Sequence, residues 1–211
     1  MMPGIDFRLL LVTDRHQTNG RPLVPLLQRV LAAGMPAIQL RERDLFAREL
    51  LTLAREVQAV TGAARSQLLI NDRIDVALTM DGVGVHLRST SLPVSVARQL
   101  LGAQRLLGIS VHSMEEAREA ELQGADYIVL GPIYETPSKQ MFGPPLGIHV
   151  LEKACGLVRI PIIGIGGVTA VRAREMRRAG AFGAAVITAI LGANDVESAT
   201  RELLDAVTAV P

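Results

Sequence analysis

The chain has 211 residues, of which 49% are hydrophobic and 20% charged, and its formal net charge at pH 7 is +1. This length suits one domain with a single large core, and the balanced charge, without a block of lysines or arginines, argues against a nucleic-acid-binding surface. The single cysteine, Cys155, excludes an internal disulfide and a cysteine-based metal cluster. No apolar run reaches the roughly 18 residues that suggest a membrane span, and the first residues do not resemble a signal peptide. We therefore expect a cytoplasmic protein that does not interact with membranes.

Strand-like and helix-like segments alternate along the whole chain, and no linker or low-complexity stretch separates them. Aromatic residues make up only 3%, so the core must be aliphatic, as in strands that helices cover on both faces. The first strand is predicted over Phe7–Asp14 and the first helix over Pro22–Gly34, with proline near its start and glycine at its end. The further strands, each followed by a helical pattern, are predicted over Ala37–Arg43, Gln67–Arg73, Gly82–Arg88, Leu106–His112, Asp126–Ile133, Pro161–Ile165 and Gly183–Ile190.

Eight strand–helix units in a chain of this length predict a single-domain α/β protein, a (β/α)₈ TIM barrel over residues 1–211. The competing architecture is a doubly wound open sheet, which usually carries its glycine-rich phosphate-binding turn after the first strand. Here the first strand ends in TDRHQT, which contains no glycine. The barrel is therefore the favoured fold.

A glycine pair, Gly166-Gly167, separates the seventh strand from the next helix. Glycines at this point let backbone N–H groups approach an anion, and barrels often bind phosphate with the turns after strands seven and eight. Thr188 supplies a small polar residue near the end of the eighth strand. The alternative is that the glycines only form a turn; the pairing with Thr188 favours phosphate.

Polar residues end most of the predicted strands, where barrel active sites lie. Gln39, Arg41 and Arg43 alternate along the second strand, so all three are expected to point into the barrel mouth and to attract an anion. The alternative is a layer of structural salt bridges to neighbouring carboxylates, namely Glu42, Asp72 or Asp14.

Asn71-Asp72 ends the third strand and offers oxygen ligands for Mg²⁺, although an Asx turn or a helix cap explains the pair equally well. Thr136, Ser138 and Lys139 lie on the long loop after the sixth strand, and two hydroxyls with one ammonium group suit a phosphate chain. Of the two histidines at strand ends, His112 is interpreted as structural, whereas the role of His86 stays open.

Seven sequence blocks spread over nearly the whole chain resemble the thiamine-phosphate synthase superfamily, which includes the thiazole tautomerases: QLRER, INDR, GISVHS, GADYIVLGPI, TPSK, IGIGG and VITAI. For a synthase, the resemblance implies that hydroxymethylpyrimidine pyrophosphate is joined to thiazole phosphate and that pyrophosphate is released. It also implies Mg²⁺ as cofactor and phosphorylated small molecules as substrates. The oligomeric state stays open, a homo-oligomer included.

The resemblance also implies roles for individual residues. Arg41, Ser110 and Lys139 would act on the pyrophosphate, and Gln39 and Asn71 would hold the pyrimidine substrate together with Arg43. Asp72 would ligate Mg²⁺. The thiazole phosphate would be bound by residues of the last turns and of the long loop, namely Thr136, Ser138, Gly167, Ile187 and Thr188.

Three positions depart from the synthase pattern. Ser91 stands where synthases have a second metal-binding aspartate, Arg43 where they usually have lysine, and Glu135 where their loop has a proline. These changes lean toward the tautomerases. However, Pro132 stands where the tautomerases have their acid/base histidine.

Three interpretations follow, in this order. The synthase comes first because most of its polar site residues are retained. The tautomerase comes second, since it would need a substitute proton carrier, for which the candidates are Glu135, His86 or Glu42. A non-catalytic binder of thiamine precursors comes third.

Overall fold

Eight short parallel strands close into a barrel in the computed structural model, which describes residues 4–136 and 144–209. Each strand pairs with the next along the chain, and the first pairs with the last. The strands are β1 (Leu9–Val12), β2 (Ala37–Leu40), β3 (Gln67–Asn71), β4 (Gly84–Leu87), β5 (Leu107–Val111), β6 (Tyr127–Leu130), β7 (Ile162–Ile165) and β8 (Gly183–Val186). The predicted (β/α)₈ barrel is confirmed.

Helices follow the strands and cover the outside of the barrel. They are α1 (Leu23–Ala32), α2 (Ala47–Ala63), α3 (Ile74–Leu78), α4 (Val94–Leu101), α5 (Met114–Leu122), α6 (Ile148–Leu157), α7 (Ala170–Arg178), α8 (Thr188–Leu191) and α9 (Val196–Thr208). Among the helices within the described ranges, none combines the length and apolar character needed to cross a bilayer.

Two strand boundaries differ from the sequence prediction in ways that shape the site. β2 ends at Leu40, so Arg41 and Arg43 lie on the loop after the strand and not within it. β8 ends at Val186 and not at Ile190, because the backbone of Ile187 (φ −122°, ψ −86°) leaves the extended conformation and α8 begins at Thr188. Both corrections move predicted site residues onto turns at the carboxyl end of the barrel.

The core has an inner and an outer layer. The outer layer packs the helices against the strands, and the inner layer fills the barrel with Phe7, Leu10, Leu69, Tyr127 and Ile163 among its buried residues. Glycine at position 108 is required by this packing, since a Cβ there would overlap the ring of Tyr127.

Polar side chains form a layer between the inner core and the carboxyl end of the barrel. Gln39 Nε2 donates a 3.0 Å hydrogen bond to Asn71 Oδ1, and His86 contacts Ser110 in the same layer. Gln39, Asn71 and His86 are buried, whereas Ser110 is partly exposed. The predicted polar strand ends therefore meet inside one barrel mouth.

Candidate active site

A cavity of about 490 Å³ opens at the carboxyl ends of β1 to β4. Its wall is unusually rich in charge and includes Asn71 of the polar layer. Four arginines and four acidic residues line it: Arg41, Arg43, Arg73, Arg88, Asp14, Glu42, Asp44 and Asp72. The pairing among these groups decides which charges are available to a ligand.

The acidic residues of the loop after β2 are already paired. Glu42 is 5% exposed; it accepts a 2.6 Å hydrogen bond from the Thr13 hydroxyl and a 3.1 Å bond from the Arg15 guanidinium. Arg15 also donates two bonds to Asp44, of 2.7 and 2.5 Å, and with His16 it lowers the pKa of that carboxyl to about 2. These carboxylates are therefore committed to structural ion pairs.

Asp14 has a structural role at the start of a 3₁₀ turn (Arg15–Gln17). Its side chain accepts hydrogen bonds from the His16 backbone N–H at 3.1 Å and from the Gln17 side chain at 2.7 Å. Arg15 was missed by sequence reasoning, because its acidic partners lie 27 and 29 residues away along the chain.

Arg41 differs from Arg15, since its guanidinium makes no ion pair with any carboxylate in the described part of the chain. The residue is partly buried, and its backbone N–H donates to the Thr13 hydroxyl at 2.9 Å. Burial, and to a smaller extent the neighbouring Arg43, lower the pKa of Arg41. The nearby acidic groups therefore do not fully balance the positive charge of Arg41. The alternative of a structural salt-bridge layer is thus not formed by Arg41, which lines the cavity.

Asp72 follows β3 in a left-handed backbone conformation, with φ at 64°. Its carboxylate accepts a hydrogen bond from the Ser91 hydroxyl and lies 3.8 Å from Arg88. Ser91 in turn accepts from the Arg88 backbone N–H at 2.8 Å. The side chain of Asp72 does not cap α3, which has no side-chain cap, so the helix-cap alternative is wrong.

No group of three or more histidine, cysteine or acidic side chains that could hold a metal occurs in residues 4–136 and 144–209. The oxygen donors nearest to such a role are the Asp72 carboxylate and the Ser91 hydroxyl.

His86 lies beneath the cavity in the barrel interior. Its two ring nitrogens are each 2.9 Å from a hydroxyl, Nδ1 from that of Tyr127 and Nε2 from that of Ser110. Burial lowers the pKa of His86 to about 3, so the ring is neutral at physiological pH. His112 is exposed, and its Nδ1 donates to the Gly131 carbonyl at 2.5 Å, which agrees with its predicted structural role.

The turns after β7 and β8 lie at the same end of the barrel, on neighbouring strands. Among the described residues, the backbone N–H groups of Gly167 and Thr188 have no hydrogen-bond acceptor, and Ile187 between β8 and α8 is partly exposed. Gly167 has a φ of 61°, and a Cβ there would overlap the carbonyl oxygen of Glu135. The Thr188 hydroxyl donates to Gln17.

The loop after β6 begins beside the Gly167 turn. Tyr134 lies under the Arg172 guanidinium at 4.6 Å and donates a 2.8 Å hydrogen bond to Glu175, so its ring is fixed against α7. Thr136 follows and is partly buried. Ser138 and Lys139, both predicted to bind phosphate, lie outside the described residues.

Comparisons with known proteins agree with this architecture. The family model described as thiamine monophosphate synthase matches residues 9–190. A putative thiamine-phosphate synthase from Geobacter sulfurreducens is 45% identical over 96% of this chain and 95% of its own length. A thiamine-phosphate synthase from Moorella thermoacetica is 42% identical over 98% of each chain.

The solved structure of thiamine phosphate pyrophosphorylase from Pyrococcus furiosus superposes with a TM-score of 0.86, at 35% identity and 95% coverage of both chains. Sequence and structure comparisons thus converge on the same group of proteins. The chain belongs to the thiamine monophosphate synthase family.

Proposed function

We propose that this protein is a thiamine-phosphate synthase, which couples hydroxymethylpyrimidine pyrophosphate to thiazole phosphate and releases pyrophosphate. The observation that carries the proposal is the partly buried Arg41 guanidinium, which faces a charged cavity without a carboxylate partner among the described residues. A cation in that state is stabilised by an anionic ligand such as a pyrophosphate. The names of the relatives that match almost the whole chain support the same activity.

The reaction requires donors more than bases. The carbon–oxygen bond of the pyrimidine methylene group breaks, and both electrons of the bond leave with the pyrophosphate. The thiazole nitrogen then gives its lone pair to the methylene carbon, so no proton is transferred in either step. Groups that stabilise negative charge on the leaving oxygen lower this barrier, and we assign that task to Arg41, Ser110 and Lys139.

The pyrimidine substrate would lie over the polar layer at the mouth. The amide pair of Gln39 and Asn71 is buried and fixed by its own hydrogen bond, which leaves the remaining donors and acceptors of both amides for a heterocycle. Arg43 is exposed at the cavity edge and would contact the outer phosphate. The thiazole phosphate would bind the free N–H groups of Gly167 and Thr188, with Ile187, Thr136 and Ser138 around it.

Magnesium fits this site only if the substrate supplies part of its coordination shell. The donor set is a single carboxylate, Asp72, with the Ser91 hydroxyl bonded to it, and both are the hard oxygen ligands that Mg²⁺ prefers. Phosphate oxygens and water would complete the shell. When bound, Mg²⁺ would neutralise part of the pyrophosphate charge.

For the tautomerase alternative, two of the three candidate proton carriers are unsuitable. His86 is buried and neutral, with both ring nitrogens in contact with hydroxyls, and Glu42 is bound by Thr13 and Arg15. Glu135 is exposed on the loop after β6. The site therefore supports charge stabilisation better than proton transfer.

The test is incubation of the purified protein with both substrates and MgCl₂, followed by detection of thiamine phosphate and free pyrophosphate in equal amounts. Formation of both supports the synthase. Conversion of one thiazole tautomer into another without coupling would support the tautomerase instead. Binding of the substrates without any turnover would favour the non-catalytic binder.

A further inference from the structure

Three polar side chains form a continuous chain of contacts through the barrel interior. His86 lies between the Tyr127 and Ser110 hydroxyls, at 2.9 Å from each. Tyr127 is fully buried in the inner core, His86 is 1% exposed, and Ser110 is partly exposed at the mouth. We call these three residues the interior relay, because they connect the inner core of the barrel with its carboxyl end, where Ser110 is partly exposed.

The packing around the relay is specific. The Tyr127 ring occupies the space left by Gly108, and it contacts Phe7 edge to face at 5.6 Å with an interplanar angle of 85°. The imidazole of His86 lies 5.5 Å from the Tyr127 ring, measured between centroids. The tyrosine hydroxyl is therefore held at one position, facing His86 Nδ1.

The direction of the hydrogen bonds follows from the Tyr127 hydroxyl. Burial raises the pKa of Tyr127, so the hydroxyl keeps its hydrogen, and a buried donor without an acceptor is costly. Within the described residues, His86 Nδ1 is the only acceptor within hydrogen-bond distance of that hydroxyl. Tyr127 must then donate to Nδ1, and the single hydrogen of the neutral imidazole lies on Nε2.

This tautomer determines what Ser110 can do. Nε2–H donates to the Ser110 oxygen, which leaves the serine hydrogen without a partner in the described part of the structure. In the opposite tautomer, bare Nε2 would accept that hydrogen, and Ser110 would have no donor left for a ligand. The state of one buried imidazole thus decides whether Ser110 donates toward the mouth.

We propose that Tyr127 and His86 are positioning residues which hold Ser110 as a hydrogen-bond donor aimed at the oxygens of the departing pyrophosphate. The proposal rests on the proposed function for the identity of the anion. The tautomer of His86 and the direction in which Ser110 donates are properties of the protein without any ligand, and they can be measured separately.

The first experiment is ¹⁵N NMR of the ligand-free protein with labelled histidine. The signals of the exposed His16, His112 and His149 are identified by substitution with glutamine, and those of His86, the fourth histidine, follow by elimination. We expect hydrogen on Nε2 and none on Nδ1. In that tautomer the two ring nitrogens differ widely in ¹⁵N chemical shift, which makes the state measurable. Hydrogen on Nδ1, or a protonated ring at pH 7, would overturn the proposal. This measurement needs only the wild-type fold, so it decides the point even if a relay variant does not fold.

The second experiment is a double-mutant cycle on the affinity for inorganic pyrophosphate, measured by calorimetry with MgCl₂ present. We expect Ser110→Ala to weaken binding by roughly tenfold to a hundredfold, as for one hydrogen bond to a charged group. Tyr127→Phe should weaken it severalfold, because the His86 tautomer is no longer fixed. The double variant should bind as Ser110→Ala does, since Tyr127 acts only through Ser110.

A matched control is available in the second tyrosine of the chain. Tyr134→Phe also removes one hydroxyl with a hydrogen bond, to Glu175, and should leave the His86 ring signals unchanged. Losses from Tyr127→Phe and Ser110→Ala that simply add would mean that Tyr127 has only a packing role, which overturns the proposal.

The relay and the proposed function fail in different ways. If thiamine phosphate is formed but His86 carries its hydrogen on Nδ1, the relay is wrong and the activity stands. If the tautomer and the coupled loss of pyrophosphate affinity are found without product, the relay is supported for an anion site and the activity is wrong.

Discussion

The two sides of the barrel mouth recognise anions with different groups. Over β1 to β4 the cavity is lined by charged side chains, and some of them are paired with an opposite charge, as Glu42 and Asp44 are with Arg15. Over β7 and β8 the available groups are backbone N–H groups, at Gly167 and Thr188. The first side can be altered by removing a side chain, whereas the second can be altered only by adding one.

The difference matters for selectivity between two phosphorylated substrates. A guanidinium attracts charge over a long range and tolerates small displacements, while a pair of N–H groups requires a ligand of fixed shape at a fixed place. A pyrophosphate that must leave suits the charged side. A phosphate that only anchors its molecule suits the backbone side.

The largest expected effect tests the charged side. Arg41→Ala should lower kcat/KM for the pyrimidine substrate by about a hundredfold, or ~3 kcal/mol, since it removes a donor to the developing charge. Arg88→Ala should cost less, because Asp72 at 3.8 Å already neutralises part of the Arg88 charge. Steady-state kinetics of both variants measures the contrast.

The thermal stability of Arg41→Ala separates a binding role from a structural one. Burial disfavours the charged form of Arg41, and no carboxylate within the described residues pairs with it, so its removal should leave the melting temperature unchanged or raise it. A marked fall in melting temperature would instead support a structural salt bridge.

The division between the two sides was only partly predictable from the sequence. The barrel could be predicted because eight apolar strands alternate with helical patterns, and polar residues at strand ends had to meet at one rim. The positions of Gln39, Asn71 and Ser110 near the carboxyl ends of their strands could be predicted in this way, since strand position determines their side of the sheet. Local sequence pattern was sufficient for these residues.

Pairing between distant residues could not be predicted in the same way. Arg15 neutralises Glu42 and Asp44 from another loop, and nothing near Arg15 in the sequence indicates it. Tyr127 reads as one more apolar strand residue, although its hydroxyl reaches His86. The sequence prediction ended β8 too late in the chain. The turn at Ile187 depends on backbone angles that cannot be predicted from an isoleucine at this position.

The second prediction tests the backbone side. Gly167→Ala should raise KM for thiazole phosphate about tenfold while leaving KM for the pyrimidine substrate nearly unchanged. The added Cβ would overlap the Glu135 carbonyl oxygen, and the φ of 61° disfavours any side chain, so the N–H would move away from the phosphate. Gly167→Val, the larger change, should act in the same direction more strongly.

Gly102→Ala is the matched control for this variant. Gly102 has a similar φ of 70° at the end of α4, but no atom lies within 4 Å of the place that an added Cβ would take. The variant should lose about 1 kcal/mol of stability through backbone strain alone and keep both KM values. If Gly167→Ala raises both KM values equally, the two sides of the mouth are not independent.

The smallest expected effect concerns the loops after β3 and β4 on the charged side, where Ser91 donates to Asp72. Ser91→Asp would place a second carboxylate beside Asp72. Without a metal the two charges repel, so the variant should melt at a lower temperature than the wild type. With MgCl₂ the ion can bind both carboxylates, so the lost stability should return and the Mg²⁺ concentration for half-maximal activity should fall severalfold.

Ser91→Asn is the control, because asparagine is close to aspartate in size but adds no charge. Its amide can still donate to Asp72, so the melting temperature should stay close to that of the wild type, and Mg²⁺ should not change it. If Ser91→Asp needs as much Mg²⁺ as the wild type, and binds pyrophosphate more weakly at every Mg²⁺ concentration, then no metal lies at Asp72. The added anion would then only repel the ligand, and the charge of the pyrophosphate would have to be balanced by the arginine and lysine side chains of the mouth alone.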